Sequence, residues 1–125
     1  MDFQPSVVFV DDDDDLRNAN RQTLELAGFA VVPFADAMGA LRFLTPDFAG
    51  VVVTDVRMPH IDGLELFRRL RAMDGDLPVI LITGHDETLK EARSNLPDAR
   101  YPPLLKKPFD GQTLLAAVAA ALGSA

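Results

Sequence analysis

Short apolar runs recur along the chain, and each is followed by a stretch with helical spacing. The clearest run covers residues 51–54, is rich in valine, and ends abruptly at Asp55 before a loop that contains Pro59 and Gly63. A run of β-branched residues without polar alternation is typical of a strand buried on both faces. Aspartate does not suit the middle of a strand. At a strand end it either caps the next turn or faces a cleft as a ligand or nucleophile.

The sequence contains five such units, each a predicted strand followed by a predicted helix. It predicts a parallel sheet with helices on both faces, and right-handed crossovers place the carboxyl ends of all strands at one edge. Pro33 cannot donate a ladder hydrogen bond, which favours an edge position for the second strand. The predicted strands cover residues 6–10, 30–34, 51–54, 77–83 and 104–106, and the helix over residues 85–96 is marginal because it is mostly polar. In the first helix, the residues at helical spacing are Leu16, Ala19, Thr23, Leu24 and Ala27.

Composition narrows the class of protein. The 125 residues, 48% hydrophobic and 25% charged, predict one globular domain over residues 1–125. A net charge of −7 argues against direct nucleic acid binding by this domain. The absence of cysteine excludes disulfides and thiolate metal sites. No apolar run is long enough to span a membrane and the N-terminus lacks a positive signal region, so we expect no membrane association and a cytoplasmic location.

Polar side chains collect where the predicted strands end. Asp11 and Asp12 follow the first strand, Asp55 the third, Thr83 the fourth and Lys107 the fifth. Because these ends share one edge, we expect the five side chains to form one small site. Taken singly, each has an ordinary interpretation: the aspartates as a solvated helix N-terminus, Thr83 as a turn residue, Lys107 as a surface charge. Their arrival at the same edge favours a functional site.

The chemistry of this site follows from its charge. Carboxylates held close together repel one another unless a cation lies among them, and few oxygen ligands suit Mg²⁺ better than Ca²⁺. A metal-bound cluster beside one carboxylate suits phosphoryl transfer onto that carboxylate, here Asp55. Lys107 would then neutralise charge on the phosphoryl oxygens, and Thr83 would donate a hydrogen bond to the product.

The chain resembles the receiver domain of two-component response regulators, with a core over residues 6–122. The resemblance is carried by four motifs: Val10-Asp11-Asp12-Asp13 with Leu16-Arg17, Thr54-Asp55-Val56-Arg57-Met58-Pro59 with Asp62-Gly63, Leu81-Ile82-Thr83-Gly84-His85, and Lys107-Pro108-Phe109. It is closest to the receivers of nitrogen-regulation and dicarboxylate-transport activators, which precede further domains. The sequence leaves open whether the chain is a stand-alone regulator or a receiver excised from a longer one.

The resemblance implies a flavodoxin-like three-layer sandwich with five helices and a five-stranded parallel sheet in the order 2-1-3-4-5. It implies that Asp55 is the phosphoacceptor, that Thr83 is the switch hydroxyl, and that Lys107 contacts the phosphoryl group. Mg²⁺ would be held by Asp11, Asp12, Asp55 and the backbone carbonyl of Arg57. The Lys107–Pro108 peptide bond is expected to be cis.

The resemblance also implies partners. These are a sensor histidine kinase or a phosphotransfer protein, with a homodimer formed through the surface of the fourth helix, the fifth strand and the fifth helix. The protein would not be an enzyme beyond its own phosphotransfer and dephosphorylation.

Two departures from the family pattern concern this same surface, which in the family carries the output signal and is called the output surface here. The family usually has Tyr or Phe three residues before the active lysine, where this chain has Leu104, and the segment from Thr83 to Lys107 is longer than usual. Leucine has no polar tip and cannot act as an amphipathic rotamer switch. The alternative function is therefore a phosphorylation-independent interaction module. A third hypothesis, a phosphatase with an aspartyl-phosphate intermediate, is disfavoured because Arg57 stands where a second carboxylate would be needed.

Arg57 and His85 each lie two residues beyond a predicted site residue. We expect them either to tune the lifetime of the acyl phosphate or to be exposed loop side chains without a kinetic role.

Overall fold

The computed structural model describes residues 6–84 and 102–123 of the chain. Within these ranges, five strands form one parallel sheet that is accompanied by four helices. The helix predicted over residues 85–96 lies outside the described residues. The elements in chain order are β1 (Ser6–Val10), α1 (Asp14–Leu26), β2 (Ala30–Phe34), α2 (Ala37–Phe43), β3 (Gly50–Asp55), α3 (Gly63–Met73), β4 (Val79–Thr83), β5 (Leu104–Lys106) and α4 (Gly111–Gly123).

The strand order is β2-β1-β3-β4-β5, which confirms the predicted order and the flavodoxin-like fold class. All neighbouring strands are parallel. Val10 pairs with Thr54 in the register of β1 and β3, so Asp11 and Asp55, which follow this pair, lie at the same level of the sheet. Strand β2 lies at an edge of the sheet, as Pro33 predicted, and Pro33 is exposed.

Each face of the sheet is covered by its own apolar cluster. Side chains alternate along a strand, so neighbouring residues enter opposite layers. Val52 and Leu81 pack with residues of α2 and α3, whereas Val53 and Ile82 pack with residues of α1 and α4. Burial on both faces explains why the strand sequences show no polar alternation. Complete burial of a valine, leucine or isoleucine side chain stabilises the fold by about 1.5–3 kcal/mol relative to leaving it exposed.

Helix α1 is oriented differently from what its apolar spacing suggests. Leu24 is fully buried, but Leu16 is 41% exposed and Leu26 is 90% exposed. The side chain of Arg17 is only 17% exposed, so the first turn presents a charged residue to the protein and a leucine to solvent. The spacing therefore located the helix correctly, but Leu16, Ala19 and Ala27, which follow that spacing, are exposed. The physical reason is that the Arg17 guanidinium donates to the Asp11 carbonyl oxygen, just after β1, and to the Asp14 carboxylate at the start of α1.

None of the helices in residues 6–84 and 102–123 combines the length and the apolar character that crossing a bilayer requires.

Candidate functional site

Two neighbouring strands deliver three carboxylates to the carboxyl edge of the sheet. Asp55 is the last residue of β3, and Asp11 and Asp12 directly follow β1. One carboxylate oxygen from each of the three residues lies within 4.8 Å of the others. Asp11 and Asp55 are buried, with 1% and 6% exposed, whereas Asp12 is exposed. The structure therefore brings together the three carboxylates predicted to hold a metal.

Asp11 is held in place through nearly all of its polar atoms. Its main-chain N–H donates to the Phe34 carbonyl at 3.1 Å, its carbonyl accepts from Arg17 at 2.8 Å, and Oδ1 accepts from the Asp13 N–H at 3.0 Å. Oδ2 is buried and accepts from no donor in the described part of the chain. Burial raises the pKa of Asp11 above its ordinary value. The hydrogen bond from Asp13 opposes this rise, and the negative charge of Asp55 adds to it.

Asp55 lies between Lys107 and the start of the following loop. Its Oδ2 accepts a hydrogen bond from Lys107 Nζ at 2.8 Å, and its Oδ1 accepts from the Arg57 N–H at 3.2 Å. Partial burial lowers the pKa of Lys107, but the hydrogen bond to Asp55 and the nearby negative charges outweigh burial and leave the pKa raised. The lysine therefore stays charged at neutral pH and lies in contact with the carboxylate predicted to be the phosphoacceptor.

Strands β4 and β5 position Lys107 and Thr83. The Lys107 N–H donates to the Thr83 carbonyl at 2.8 Å, and the Lys107–Pro108 peptide bond is cis, as expected. Thr83 is buried, with 2% exposed, one residue beyond Ile82, the register partner of Asp55. Strand alternation places Thr83 on the face of the sheet that carries α3, whereas Asp55 lies on the opposite face, which carries α1 and α4. The switch role of the Thr83 hydroxyl stays a prediction.

The loop from Asp55 to α3 depends on Gly63, which the sequence showed only as part of a loop and of the Asp62-Gly63 motif. The Gly63 N–H donates to the Val56 carbonyl at 2.8 Å, and a Cβ at position 63 would lie 2.3 Å from the Asp55 carbonyl oxygen. Only glycine allows the start of α3 to approach Asp55 so closely. In the same loop His60 has a φ of 68°, in the left-handed region. The Asp62-Gly63 pair marked a loop in the sequence, but no sequence signal indicated this contact.

The donor set fits a hard divalent cation. Three carboxylate oxygens converge, and one buried oxygen, Asp11 Oδ2, has no donor in the described part of the chain. Oxygen ligands of this kind are those that Mg²⁺ takes in proteins, usually with waters and a phosphate oxygen completing the shell. The Arg57 N–H is already used by Asp55, and the role of the Arg57 carbonyl as a ligand stays a prediction. His85 lies outside the described residues.

The fold and the site together define a class of protein. It is a flavodoxin-like α/β domain that carries an acidic cluster and a lysine at the carboxyl edge of its sheet. The chain belongs to the response regulator receiver domain family, which it matches over residues 7–119.

The relatives agree with this membership. The chain is 50% identical over 115 residues to the C4-dicarboxylate transport transcriptional regulatory protein DctD of Rhizobium meliloti, covering 92% of this chain and 25% of that protein. It is 42% identical to the transcriptional regulatory protein FixJ of Azorhizobium caulinodans, covering 91% of this chain and 53% of that protein. The chain thus spans about a quarter of one regulator and half of the other. The similarity to DctD agrees with the predicted likeness to dicarboxylate-transport regulators.

Solved structures share the fold. A response regulator receiver domain protein from Clostridium thermocellum superposes with a TM-score of 0.83 at 26% identity, covering 94% of both chains. Chemotaxis protein CheY4 of Vibrio cholerae superposes with a TM-score of 0.82 at 27% identity, covering 96% of this chain and all of that one. Membership in this family supports a function in phosphorylation-controlled signalling.

Proposed function

We propose that this chain is a signalling switch controlled by phosphorylation of Asp55 in a Mg²⁺-dependent reaction. The phosphoryl donor is the phosphohistidine of a sensor histidine kinase or of a phosphotransfer protein in the cytoplasm. The observation that carries the proposal is the cluster of Asp11, Asp12 and Asp55, whose oxygens lie within 4.8 Å, with Lys107 Nζ 2.8 Å from Asp55 Oδ2. No single member of this group would support it alone.

The chemical step forms an acyl phosphate. A carboxylate oxygen of Asp55 attacks phosphorus, a P–O bond forms and the P–N bond of the phosphohistidine breaks. The electron pair of that bond passes to the ring nitrogen, and the imidazole, protonated on its other nitrogen, leaves as a neutral ring. Hydrolysis later returns Asp55 and releases inorganic phosphate. The domain catalyses only these two steps on itself, so it is not an enzyme with a separate substrate.

The residues around Asp55 have separate tasks in this step. Asp11 and Asp12 would hold Mg²⁺ together with Asp55. When bound, this ion lowers the repulsion between the incoming phosphoryl group and the carboxylates. Lys107 moves its hydrogen bond from Asp55 Oδ2 to a phosphoryl oxygen. The Arg57 N–H keeps the carboxylate oriented through Oδ1 at 3.2 Å.

Incubation with acetyl phosphate and Mg²⁺ tests this proposal. Intact mass spectrometry should show one phosphoryl increment on the wild-type chain and none on Asp55→Asn. The matched control is Asp15→Asn, which removes an exposed carboxylate from the same run but outside the cluster, and it should be phosphorylated normally. A wild-type chain that stays unmodified while folded would refute the proposal, as would an equal increment on Asp55→Asn.

The output surface includes β5 and α4, which is the fifth helix of the sequence prediction. Helix α4 carries no charged residue, and its exposed positions include Ala116, Ala119 and Ala120. Uncharged small side chains permit close packing against a second helix, which supports a homodimer formed through this surface after phosphorylation. Light scattering with and without the phosphoryl mimic beryllofluoride should show a shift from monomer to dimer. An unchanged mass at high protein concentration would exclude this mode of output.

One observation favours a second function, an interaction module that does not respond to phosphorylation. Leu104 pairs with Leu81 and packs against the apolar cluster on the α2 and α3 face, and its hydrocarbon side chain carries no polar group that would favour a move into solvent. In that case beryllofluoride would bind at Asp55 and leave the amide spectrum of residues 102–106 and of α4 unchanged. Widespread amide shifts in these segments would decide for the switch.

A further inference from the structure

The first turn of α1 turns a cation towards the protein and exposes an apolar side chain. Arg17 is 17% exposed in its side chain, whereas the neighbouring Leu16 is 41% exposed. This order reverses the usual preference, because arginine is mostly exposed in folded proteins and leucine is among the residues most often buried. A specific set of contacts must therefore hold Arg17 against the protein.

Those contacts join the end of β1 to the start of α1. Arg17 Nη1 donates to the Asp11 carbonyl oxygen at 2.8 Å, and Nη2 donates to Asp14 Oδ1 at 2.5 Å. The planar guanidinium thus bridges the two ends of the short acidic loop that contains Asp12 and Asp13. Two donors in a fixed fork define the distance and the angle between their acceptors, which a lysine ammonium on a flexible stem does not do.

The Arg17 bridge helps to fix the position of Asp11. Its N–H, its carbonyl and its Oδ1 are bound by Phe34, Arg17 and Asp13 respectively. Only the buried Oδ2 accepts nothing among the described residues. We infer that Arg17 is a positioning residue for the metal site, because its bridge fixes the Asp11 backbone and the loop carrying Asp12 so that their carboxylates face Asp55. The inference rests on the proposed function, in which this cluster binds Mg²⁺.

Charge and positioning make opposite predictions for this residue. By Coulomb's law alone, a cation beside an acidic metal site competes with Mg²⁺, so removal of the Arg17 charge would strengthen Mg²⁺ binding. If the bridge positions the ligands, its removal weakens Mg²⁺ binding despite the gain in negative charge. Lysine separates the two effects further, because it keeps the charge and loses the fork. The sign of the change in affinity therefore identifies the cause.

Calorimetric titration of Mg²⁺ into the chain tests the inference. Arg17→Lys and Arg17→Met should each raise the dissociation constant roughly ten-fold, the lower end of the range for residues that orient metal ligands. Arg21 provides the matched control. It lies one turn further along α1, is 31% exposed in its side chain, and makes its hydrogen bond and ion pair with Glu25 at 2.8 Å, within the same helix. Arg21→Lys and Arg21→Met should bind Mg²⁺ as the wild type does.

A second readout needs no metal. In EDTA, the amide resonances of Asp12 and Asp13 should shift in both Arg17 variants and stay in place in both Arg21 variants. Thermal unfolding in the same buffer identifies any variant that has lost its fold. Arg17→Lys preserves the net charge and the aliphatic stem, so it keeps the test informative if Arg17→Met does not fold.

The outcomes are distinguishable. Wild-type Mg²⁺ affinity in both Arg17 variants would overturn the positioning role and leave the proposed function intact. Tighter binding in Arg17→Met with no change in Arg17→Lys would overturn it in favour of simple charge competition. Failure of the wild-type chain itself to bind Mg²⁺ would instead refute the metal site of the proposed function, and the positioning role with it.

Discussion

The replacement of Gly63 by alanine should disturb the candidate site by a purely steric route. An added Cβ would lie 2.3 Å from the Asp55 carbonyl oxygen and 2.8 Å from the Val56 Cα. Ordinary contact begins near 3.4 Å, so the main chain at Asp55 and the start of α3 must separate by about 1.1 Å. Both neighbours are backbone atoms, which cannot turn away as a flexible side chain can.

The size of the effect follows from that displacement. Overpacking of a tightly packed position costs about 1–3 kcal/mol in the free energy of unfolding. Displacement of a reacting group by about 1 Å can lower the rate of a reaction about 100-fold. We therefore expect Gly63→Ala to lose about 1–3 kcal/mol of stability and to accept phosphate from acetyl phosphate far more slowly, even under conditions where it is fully folded.

Two other glycines supply the controls. At Gly50 an added Cβ would lie 2.1 Å from the Ser6 carbonyl oxygen, at the amino end of the strands and therefore at the edge opposite the site. Gly50→Ala should destabilise the fold as Gly63→Ala does and leave the phosphorylation rate of the folded protein unchanged. At Gly75 an added Cβ meets nothing within 4 Å, so Gly75→Ala should change neither property.

Urea denaturation gives the three stabilities, and a time course of intact mass gives the three phosphorylation rates. Phosphorylation of Gly63→Ala at the wild-type rate would refute the steric displacement of Asp55. So would a Gly50→Ala variant that, at the same folded fraction, is phosphorylated as slowly as Gly63→Ala. In that second case the loss would come from weakened packing of the whole sheet and not from displacement of Asp55.

Three further predictions concern stability. His60→Gly should stabilise the fold by about 0.5–1 kcal/mol in urea denaturation, because glycine adopts the φ of 68° without the cost of a Cβ. Leu24→Ala should cost about 2–5 kcal/mol, whereas Leu26→Ala, at a position 90% exposed, should stay within about 0.5 kcal/mol. Hydrogen bonds from the N–H and hydroxyl of Thr113 lower the pKa of Asp110 below 3.8, so its ionised form stabilises the fold above pH 3.8 and this contribution is lost as the pH falls through the lowered pKa. The stability gap between wild type and Asp110→Asn should accordingly close in acid, and a constant gap would contradict the assignment.

The sheet and the carboxylate cluster were predictable because their signals are local. A buried strand must be apolar on both faces, so a charged residue such as Asp55 marks the strand end within one position. Parallel strands share one edge, so the end of β1 predicted that Asp11 would lie beside Asp55. Lys107 followed from the same geometry, and its 2.8 Å contact with Asp55 bears out the predicted proximity.

The remaining features depend on contacts that a single sequence does not specify. The apolar spacing in α1 did not reveal that Leu16 faces solvent and Arg17 faces Asp11, because the decision rests on a backbone carbonyl of another element. The closeness of Gly63 to Asp55 likewise depends on the path of a whole loop. Both features govern how the site is held, whereas the predictable features govern which groups it contains.

The exposed Pro33 has a consequence for how this protein meets other chains. The Phe34 carbonyl accepts from the Asp11 N–H, so the main chain of Phe34 faces β1 and the nitrogen of Pro33, one residue earlier, faces outward. The outer margin of β2 therefore lacks a hydrogen-bond donor near its middle, and an incoming strand finds no continuous ladder there. Growth of the sheet by strand addition at β2 is therefore disfavoured, so a molecule that meets this margin of the sheet would contact side chains and not a row of main-chain groups.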